Sequence, residues 1–201
     1  DALQLSTPTC RVGIESTVVS LAEFARTGKV VVHRRGGVTE AELKHAFAMA
    51  KLRADISIVD VRERRHDVSH AAPGQLLTHY APDVPAYLCE SSDAPSAGAL
   101  PFPLSQTVVV DLGGQLSSLA REALASRDLS SRGDAAEACV SLFDTLRWSE
   151  TVPGAKAVLL PDAFKSVTSH VDASPALADR LFRAASGRRV SVSAADSGAS
   201  R

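Results

Sequence analysis

The sequence predicts an α/β fold whose second half builds a small parallel sheet, and two observations support that prediction. The chain has 201 residues, of which 45% are hydrophobic and 22% charged, so it can form one large domain or two small ones with real cores. Buried-type strands at residues 107–112 and 157–161 alternate with segments of helical periodicity. Strand and helix in alternation imply parallel strands with helices on both faces of the sheet.

The composition narrows the class of protein. The formal net charge is −1, so no global attraction draws the chain to nucleic acid or membranes, and an RNA contact would need a local patch. No run of residues is apolar for long enough to span a bilayer. Three widely spaced cysteines form no paired metal pattern, so we expect reduced, mostly buried thiols in a cytoplasmic protein. The first residues have neither an initiating Met nor a signal-peptide profile, and we expect the sequence to begin within a longer protein.

The first half of the chain is predicted to hold three strands. β-Branched and other apolar residues concentrate at residues 13–21, 29–33 and 56–61. The first two strands could pair as a hairpin with a longer connection that ends at Gly28. The polar residues at the front of the first strand, around Ser16 and Thr17, are typical of a strand whose first residues face a site.

A helix is predicted between the second and third strands, over residues 39–53. Thr39 and Glu42 have the spacing of a capping box. Apolar residues recur behind it at helical spacing, which indicates ordinary amphipathic packing: Leu43, Ala46, Phe47 and Ala50. Directly before the helix, the run Arg34-Arg35-Gly36-Gly37 places two cationic groups and flexible backbone next to a helix N-terminus. That arrangement suits an anion.

Residues 72–82 are predicted to cross in an extended conformation between two packed bodies. Two prolines fix φ and disfavour helix in the residues before them, and Gly74 permits a turn. A simple tether would be Gly/Ser-rich or charged, whereas this segment carries two leucines, His79 and Tyr80, which can pack on a neighbour and hydrogen-bond into it. We interpret it as a strap within a linker over residues 62–84.

The second half continues the alternation of strands and helices to residue 190. Strands are predicted at residues 84–89, 107–112 and 157–161, with a surface loop at residues 91–103. Helices are predicted at residues 116–126 and 134–148, and a last helix is predicted from Ser174-Pro175 to Gly187. The small residues at 191–201 are expected to form a disordered tail.

Two further motifs favour structural interpretations. Gly113-Gly114 follows a strand but lacks the third glycine of a dinucleotide-binding fingerprint, so a tight turn is favoured over a nucleotide site. The histidines at positions 66, 70 and 79 and Cys89 match no standard zinc spacing, so we expect no metal site.

A third group of residues indicates a shared site. A hydroxyl at a strand start (Ser16), a guanidinium before two glycines (Arg34 or Arg35) and a His-Tyr pair on the strap (His79 and Tyr80) could converge on one pocket. They would supply a neutral hydrogen bond, a bidentate phosphate contact and an aromatic lid. The alternative is that these are unrelated structural residues, and spacing alone leaves both interpretations open.

At these residues the chain resembles the two-domain form of the threonylcarbamoyl-AMP synthase family. The run from Gly13 to Val19 is similar to the family's late strand motif, and Arg34-Arg35-Gly36-Gly37-Val38-Thr39 is similar to its Arg-Pro-Gly-Gly-Ile-Thr turn, with Arg35 at the proline position. The run Ala72-Pro73-Gly74 together with His79-Tyr80-Ala81-Pro82 resembles its interdomain linker. Three motifs in the family's order are more specific than any one of them.

The resemblance implies a fold, a reaction and a role for each site residue. Residues 1–61 would be the C-terminal remnant of an α/β twisted-sheet catalytic domain, 62–84 an extended linker, and 85–190 a small Rossmann-like parallel α/β domain. The family makes threonylcarbamoyl-AMP and pyrophosphate from L-threonine, bicarbonate and ATP with Mg²⁺, for tRNA modification, without a tightly bound cofactor. By position, Ser16 would contact the threonine, and Arg34 and Tyr80 the ATP. Further contacts are expected from Arg35, Thr17 and His79.

The resemblance also implies what this chain would lack. The family's main catalytic cradle should precede residue 1, so no catalytic residue is assigned here and the fragment is expected to be inactive alone. The alternative is a non-catalytic module in which the second domain binds tRNA or a partner of the threonylcarbamoyl-transfer complex. No membrane partner is expected.

Overall fold

The computed structural model describes residues 13–58, 79–90, 98–163 and 174–191, which form two sheets. Most of the predicted linker, the first part of the strap and the predicted tail from residue 192 lie outside the described residues. No helix in the described part of the chain has the length and apolar character needed to cross a membrane.

The first sheet has three strands, in the order β1-β2-β3: Val18–Ser20 (β1), Lys29–Arg34 (β2) and Asp55–Ile58 (β3). The first two strands are antiparallel, which confirms the predicted hairpin, and its connection contains a short helix, Phe24–Thr27 (α1), that ends at the left-handed Gly28. The second and third strands are parallel and are joined by a helix, Glu40–Met49 (α2). The first strand is shorter than predicted, because Gly13 to Thr17 bonds to the glycine turn after β2 instead of continuing the ladder.

The predicted start of α2 is confirmed, but its predicted packing is wrong. Thr39 and Glu42 form both hydrogen bonds of the capping box. The helix ends at Met49, before a left-handed Lys51, and none of its ten described residues is buried. Phe47 is half-buried against Phe24, with ring centroids 5.1 Å apart, whereas Ala46 and Ala50 are exposed. The local sequence therefore specifies the helix without a deep core beneath it.

The second sheet has six strands in the order β5-β9-β4-β8-β6-β7, and every described pairing in it is parallel. Its strands are Ala86–Glu90 (β4), Gly98–Ala99 (β5), Thr107–Asp111 (β6), Ala125–Asp128 (β7), Ala157–Pro161 (β8) and Arg189–Ser191 (β9). Its helices are Ser117–Ala120 (α3), Ala135–Thr151 (α4) and Pro175–Ala184 (α5), with a 3₁₀ turn at Leu104–Gln106. The parallel α/β prediction is confirmed.

Three details of the second half differ from the prediction. The helix predicted at 116–126 is only one turn long and is followed by β7, whose Ala-Ser-Arg-Asp sequence has low strand propensity and forms a strand by pairing with β6 at the edge of the sheet. Two residues of the predicted loop form β5. The last strand, β9, reaches Ser191, the first residue of the predicted tail.

Helices cover both faces of the second sheet. Val108, Val110 and Leu160 face the larger core, which contains α4 and α5. Val109 and Leu159, which alternate with them, face a smaller cluster that includes Leu116 before α3. Because successive strand residues point to opposite faces, β6 and β8 are buried along their whole length, as expected for a central parallel strand.

Candidate functional site

Ser16 and Arg34, predicted to share a site, are in direct contact. The guanidinium of Arg34 donates to the Ser16 carbonyl oxygen from Nε at 3.2 Å and from Nη2 at 3.1 Å, and Nη2 lies 3.4 Å from Ser16 Oγ. Arg34 ends β2 and is half-buried, and Ser16 is exposed just before β1. The positive charge of Arg34 beside an exposed hydroxyl can attract an anionic ligand, and the hydroxyl can hydrogen-bond a second group next to it.

The neighbouring arginine faces elsewhere. Arg35 Nε donates to Glu40 Oε1 at 2.9 Å, on the first turn of α2. Consecutive residues of an extended strand point to opposite sides, so only one of the two guanidinium groups can face Ser16. The structure brings Arg34 to Ser16 and pairs Arg35 with a carboxylate.

The glycine turn is pressed against the segment that carries Ser16. Gly37 N–H donates to the Glu15 carbonyl at 3.2 Å, and Thr17 Oγ1 donates to the Val38 carbonyl at 2.6 Å and accepts from Val38 N–H at 3.0 Å. A Cβ on Gly36 would overlap the Glu15 carbonyl oxygen and the backbone of Ser16 and Thr17. Glycine is therefore required for this close approach, and the Thr17 hydroxyl serves as a structural link.

Tyr80 and His79 pack together on the second sheet. Their ring centroids are 3.7 Å apart in an edge-on arrangement, and the Tyr80 ring lies 4.8 Å from that of Phe143 on α4. Tyr80 has a φ of 62°, which side-chain-bearing residues adopt only when surrounding contacts hold them there. The strap prediction is consistent with this packing, in which the aromatic pair lies against the second body.

Sequence reasoning missed the residue that connects these groups, Arg180 on α5. Its side chain is 1% exposed. Its Nε donates to Glu15 Oε2 at 2.7 Å, its Nη2 to the Arg35 carbonyl at 2.8 Å and its Nη1 to Asp179 Oδ2 at 2.7 Å. The guanidinium carbon lies 5.8 Å from the Tyr80 ring centroid, within cation–π range. No local pattern marks this residue, because its partners at Glu15 and Arg35 are 165 and 145 positions away.

The environment of His79 disfavours the charged form of its imidazole. Burial is the largest cause of its lowered pKa, the Glu15 carboxylate acts in the opposite direction, and the guanidinium groups of Arg183, Arg180 and Arg34 add to the lowering. Its Nδ1 is buried without a hydrogen-bond partner among the described residues. Glu15, Arg180 and Arg34 therefore all influence the charge of this imidazole, which lies against the Tyr80 ring.

A cleft of about 240 Å³ lies beside the glycine turn. One wall belongs to the first sheet and α2, and includes Thr17, Val32 and Arg35. The other is the start of α5, where Ser174 Oγ accepts from Leu177 N–H. The cleft therefore lies where the first sheet meets α5, next to Arg35 and Gly36, which directly follow Arg34.

The glycine pair at 113–114 forms a turn, as predicted. Both glycines have positive φ, at 61° and 78°. The Asp111 carboxylate accepts from the amides of Leu112 at 2.7 Å and Leu116 at 2.8 Å, and burial raises its pKa. Because the Asp111 carboxylate already takes these two amides, they are not available to bind a phosphate as amides do in dinucleotide sites. In the described part of the chain, no three His, Cys, Asp or Glu residues are grouped so as to hold a metal ion.

Comparison with known proteins agrees with the resemblance seen in the sequence. The profile of the family described as threonylcarbamoyl-AMP synthase, C-terminal domain, matches residues 38–186. A solved structure of Sua5 from P. abyssi, a variant with an adjacent histidine and tyrosine replaced by alanine, is similar to 90% of this chain at 20% identity and a TM-score of 0.59, which shows the shared fold. This chain covers 48% of that structure's chain. No curated protein sequence matches this chain significantly.

Proposed function

The chain belongs to the threonylcarbamoyl-AMP synthase C-terminal domain family, and we propose that it is the C-terminal part of an enzyme that makes threonylcarbamoyl-AMP. The complete protein would combine L-threonine, bicarbonate and ATP with Mg²⁺ and release pyrophosphate, for tRNA threonylcarbamoyladenosine modification in the cytoplasm. The contact between Ser16 and Arg34 is the observation that carries the proposal, since it sets a hydroxyl and a guanidinium side by side.

In this proposal Arg34 contacts the phosphates of ATP and Ser16 contacts the threonine. Transfer of the adenylyl group moves negative charge onto pyrophosphate, and a fixed guanidinium offsets that charge without reorganising. Arg34 suits this role better than Arg35 because its guanidinium lies beside the Ser16 hydroxyl, whereas the guanidinium of Arg35 points to Glu40 on α2. Thr17 supports the site through its bonds to Val38.

His79 and Tyr80 would cover the bound nucleotide from the linker side. A lid that excludes water limits hydrolysis of a labile mixed anhydride. The relative from P. abyssi was solved with an adjacent His-Tyr pair replaced, and the only adjacent His-Tyr pair in this chain is His79-Tyr80. The Nδ1 of His79, which has no hydrogen-bond partner among the described residues, is a further candidate contact for the substrate.

The proposal includes the division of the chain at residues 1–61, 62–84 and 85–190, and the inactivity of these 201 residues alone. This chain spans only 48% of the chain of the P. abyssi structure, so much of that fold has no counterpart here. Apolar side chains on the first sheet and α2 are left in solvent, as expected of a sheet that is part of a larger body: Val19, Leu21, Val38, Met49 and Leu52.

The test is an ATP–pyrophosphate exchange assay that depends on threonine and bicarbonate. We expect the complete protein to be active and residues 1–201 to be inactive. In the complete protein, Arg34→Ala should lower kcat/KM by about 10²-fold or more, because a fixed charge at the reacting phosphates is lost. Arg26→Ala, at an exposed arginine of α1 in the same sheet region, is the matched control and should leave activity unchanged. Exchange by residues 1–201 alone would contradict the expected inactivity.

The alternative, a module that binds tRNA, is tested separately. Titration of labelled tRNA onto the protein at two salt concentrations should show weak or no binding, since the net charge is −1. Tight binding that weakens steeply with salt, in a complete protein without exchange activity, would favour the alternative.

A further inference from the structure

We infer that Arg180 is a positioning residue through which the second sheet fixes the Ser16–Arg34 pair. The inference rests on the proposed function and assigns a role in it to helix α5, which contains no residue that the sequence placed at the site. Arg180 does not itself contact Ser16 or Arg34 in any described hydrogen bond. It acts on the two segments that carry them.

Each of the two long-range bonds of Arg180 holds one half of the pair. Its Nε bonds to Glu15 at 2.7 Å, directly before Ser16, and its Nη2 bonds to the carbonyl of Arg35 at 2.8 Å, directly after Arg34. One planar guanidinium therefore ties the Glu15 side chain to the backbone at Arg35, and so links the two segments. The same segments also meet through Gly37 N–H and the Glu15 carbonyl, and Gly36 lets them approach.

The charges around Arg180 explain why an arginine can be buried here. Asp179 accepts from Arg180 at 2.7 Å and from Arg183 at 3.0 Å, and Glu15 supplies the second carboxylate. Two carboxylates thus face two guanidinium groups. Each nitrogen of the Arg180 fork has its own acceptor, and each acceptor lies in a different direction. A lysine ammonium, a point charge on a flexible stem, cannot meet all three acceptors at once.

Arg180 also contacts Tyr80, in the predicted linker, and so supports that segment as well. The Tyr80 ring lies against both Arg180 and Phe143, which belong to helices of the second sheet. The lid and the Ser16–Arg34 pair therefore share one buried guanidinium. Moving Arg180 would disturb the spacing of the pair and the support of the lid together, even though Arg180 itself is too buried to meet a substrate.

The first test is kinetic and uses the complete protein. Arg180→Lys should lower kcat/KM for threonine-dependent exchange at least tenfold while the protein stays folded. Arg34→Lys should also lower it, and the double variant should lose less than the product of the two single losses, because Arg180 acts through Arg34. Arg188→Lys is the matched control, since Arg188 also donates to a carbonyl, that of Ala86, and lies over a tyrosine, Tyr87, within the second sheet. It should be neutral. Losses that multiply in the double variant, or full activity of Arg180→Lys, would overturn the inference.

The second test needs no activity, so it separates this inference from the proposed function. Hydrogen exchange at the amides of Gly37 and Val38, which bond to the Ser16 segment, should accelerate at least tenfold in Arg180→Lys and stay unchanged in Arg188→Lys. Unchanged hydrogen exchange at these two amides in Arg180→Lys would refute the positioning role. If Arg180→Lys fails to fold, Glu15→Gln tests the same bond from the other side and should accelerate the same two amides. A wild-type protein without ATP–pyrophosphate exchange activity would refute the proposed function. The hydrogen-exchange rates of Gly37 and Val38 would then still decide the role of Arg180.

Discussion

Helices α2 and α5 are each ten residues long, and each begins at a hydroxyl side chain that accepts from the third amide of the helix. They differ in burial: eight residues of α5 are buried and none of the ten residues of α2 is. The regions around them differ in the same way. Within residues 13–58 the only buried hydrophobic side chains are Val30 and Val32. The rest of the described core lies in the second sheet and the segments packed on it. A good cap therefore specifies where a helix starts, whereas the elements packed against the helix decide how much of it is buried.

The largest expected effect is a cavity in the well-buried helix. Leu181→Ala, at a fully buried position of α5, should lower the free energy of unfolding by about 2–5 kcal/mol. Leu43→Ala, at a half-buried position of α2, should cost about 1 kcal/mol or less. Urea denaturation followed through Trp148, the only tryptophan and a residue of α4, measures both. Equal losses of unfolding free energy in the two variants would contradict the expectation that burial makes α5 contribute more to stability than α2.

The next effect concerns the backbone contact between the glycine turn and the Ser16 segment. Gly36→Ala should destabilise the first sheet by about 1–3 kcal/mol, because the new methyl would overlap backbone that cannot rotate away. Gly154→Ala is the control, since its methyl would meet nothing closer than 4.0 Å and only its φ of 84° is unfavourable, at about 1 kcal/mol. Hydrogen exchange at Gly37 should accelerate only in Gly36→Ala, and unchanged exchange there would refute the contact.

Loss of the caps should distinguish the two helices at a smaller scale. Thr39→Ala and Ser174→Ala each remove a cap worth about 1 kcal/mol. In α2, which lacks burial, we expect the first turn to lose its hydrogen-exchange protection. In α5, buried neighbours should retain that protection. Loss of protection in both helices would mean that burial does not support α5.

The smallest effect is the pH dependence of the same capping box. Hydrogen bonds from the backbone and the hydroxyl of Thr39 lower the pKa of Glu42 in the folded chain. A lowered carboxylate pKa contributes stability above the pKa of the unfolded state, and that contribution is lost as pH falls through the folded value. Protection of the first turn of α2 should therefore weaken on acidification. In Glu42→Gln, which keeps an acceptor but cannot titrate, this pH dependence should disappear, and its persistence would assign the effect to another group.

Predictions based on nearby residues were the accurate ones. The capping box at Thr39, the N-cap at Ser174 and the turn at the glycine pair 113–114 were found where the sequence placed them, because each depends on hydrogen bonds between residues a few positions apart. The buried strands β6 and β8 were also recognised, since a continuous apolar run records burial on both faces. The edge strand β7 was missed because its polar residues become a strand only through pairing with β6.

The candidate site was predicted in part. The sequence indicated that Ser16 could share a site with Arg34 or Arg35, and the structure joins Ser16 to Arg34 by hydrogen bonds. It could not decide between Arg34 and Arg35. The opposite directions of consecutive strand residues and the carboxylate of Glu40 separate the two. The sites of ligand contact themselves stay predictions.

By itself, the sequence determined the class of fold, the starts of helices α2, α4 and α5 and the family, because these follow from periodicity, local hydrogen bonding and motifs of adjacent residues. Only the tertiary structure decided which helix is buried and which arginine bonds to the residues next to Ser16 and Arg34. Arg180 bonds to Glu15 and to Arg35 from 165 and 145 positions away. The energy of a buried charge depends on what the fold brings around it, and residues adjacent in sequence carry no record of that environment.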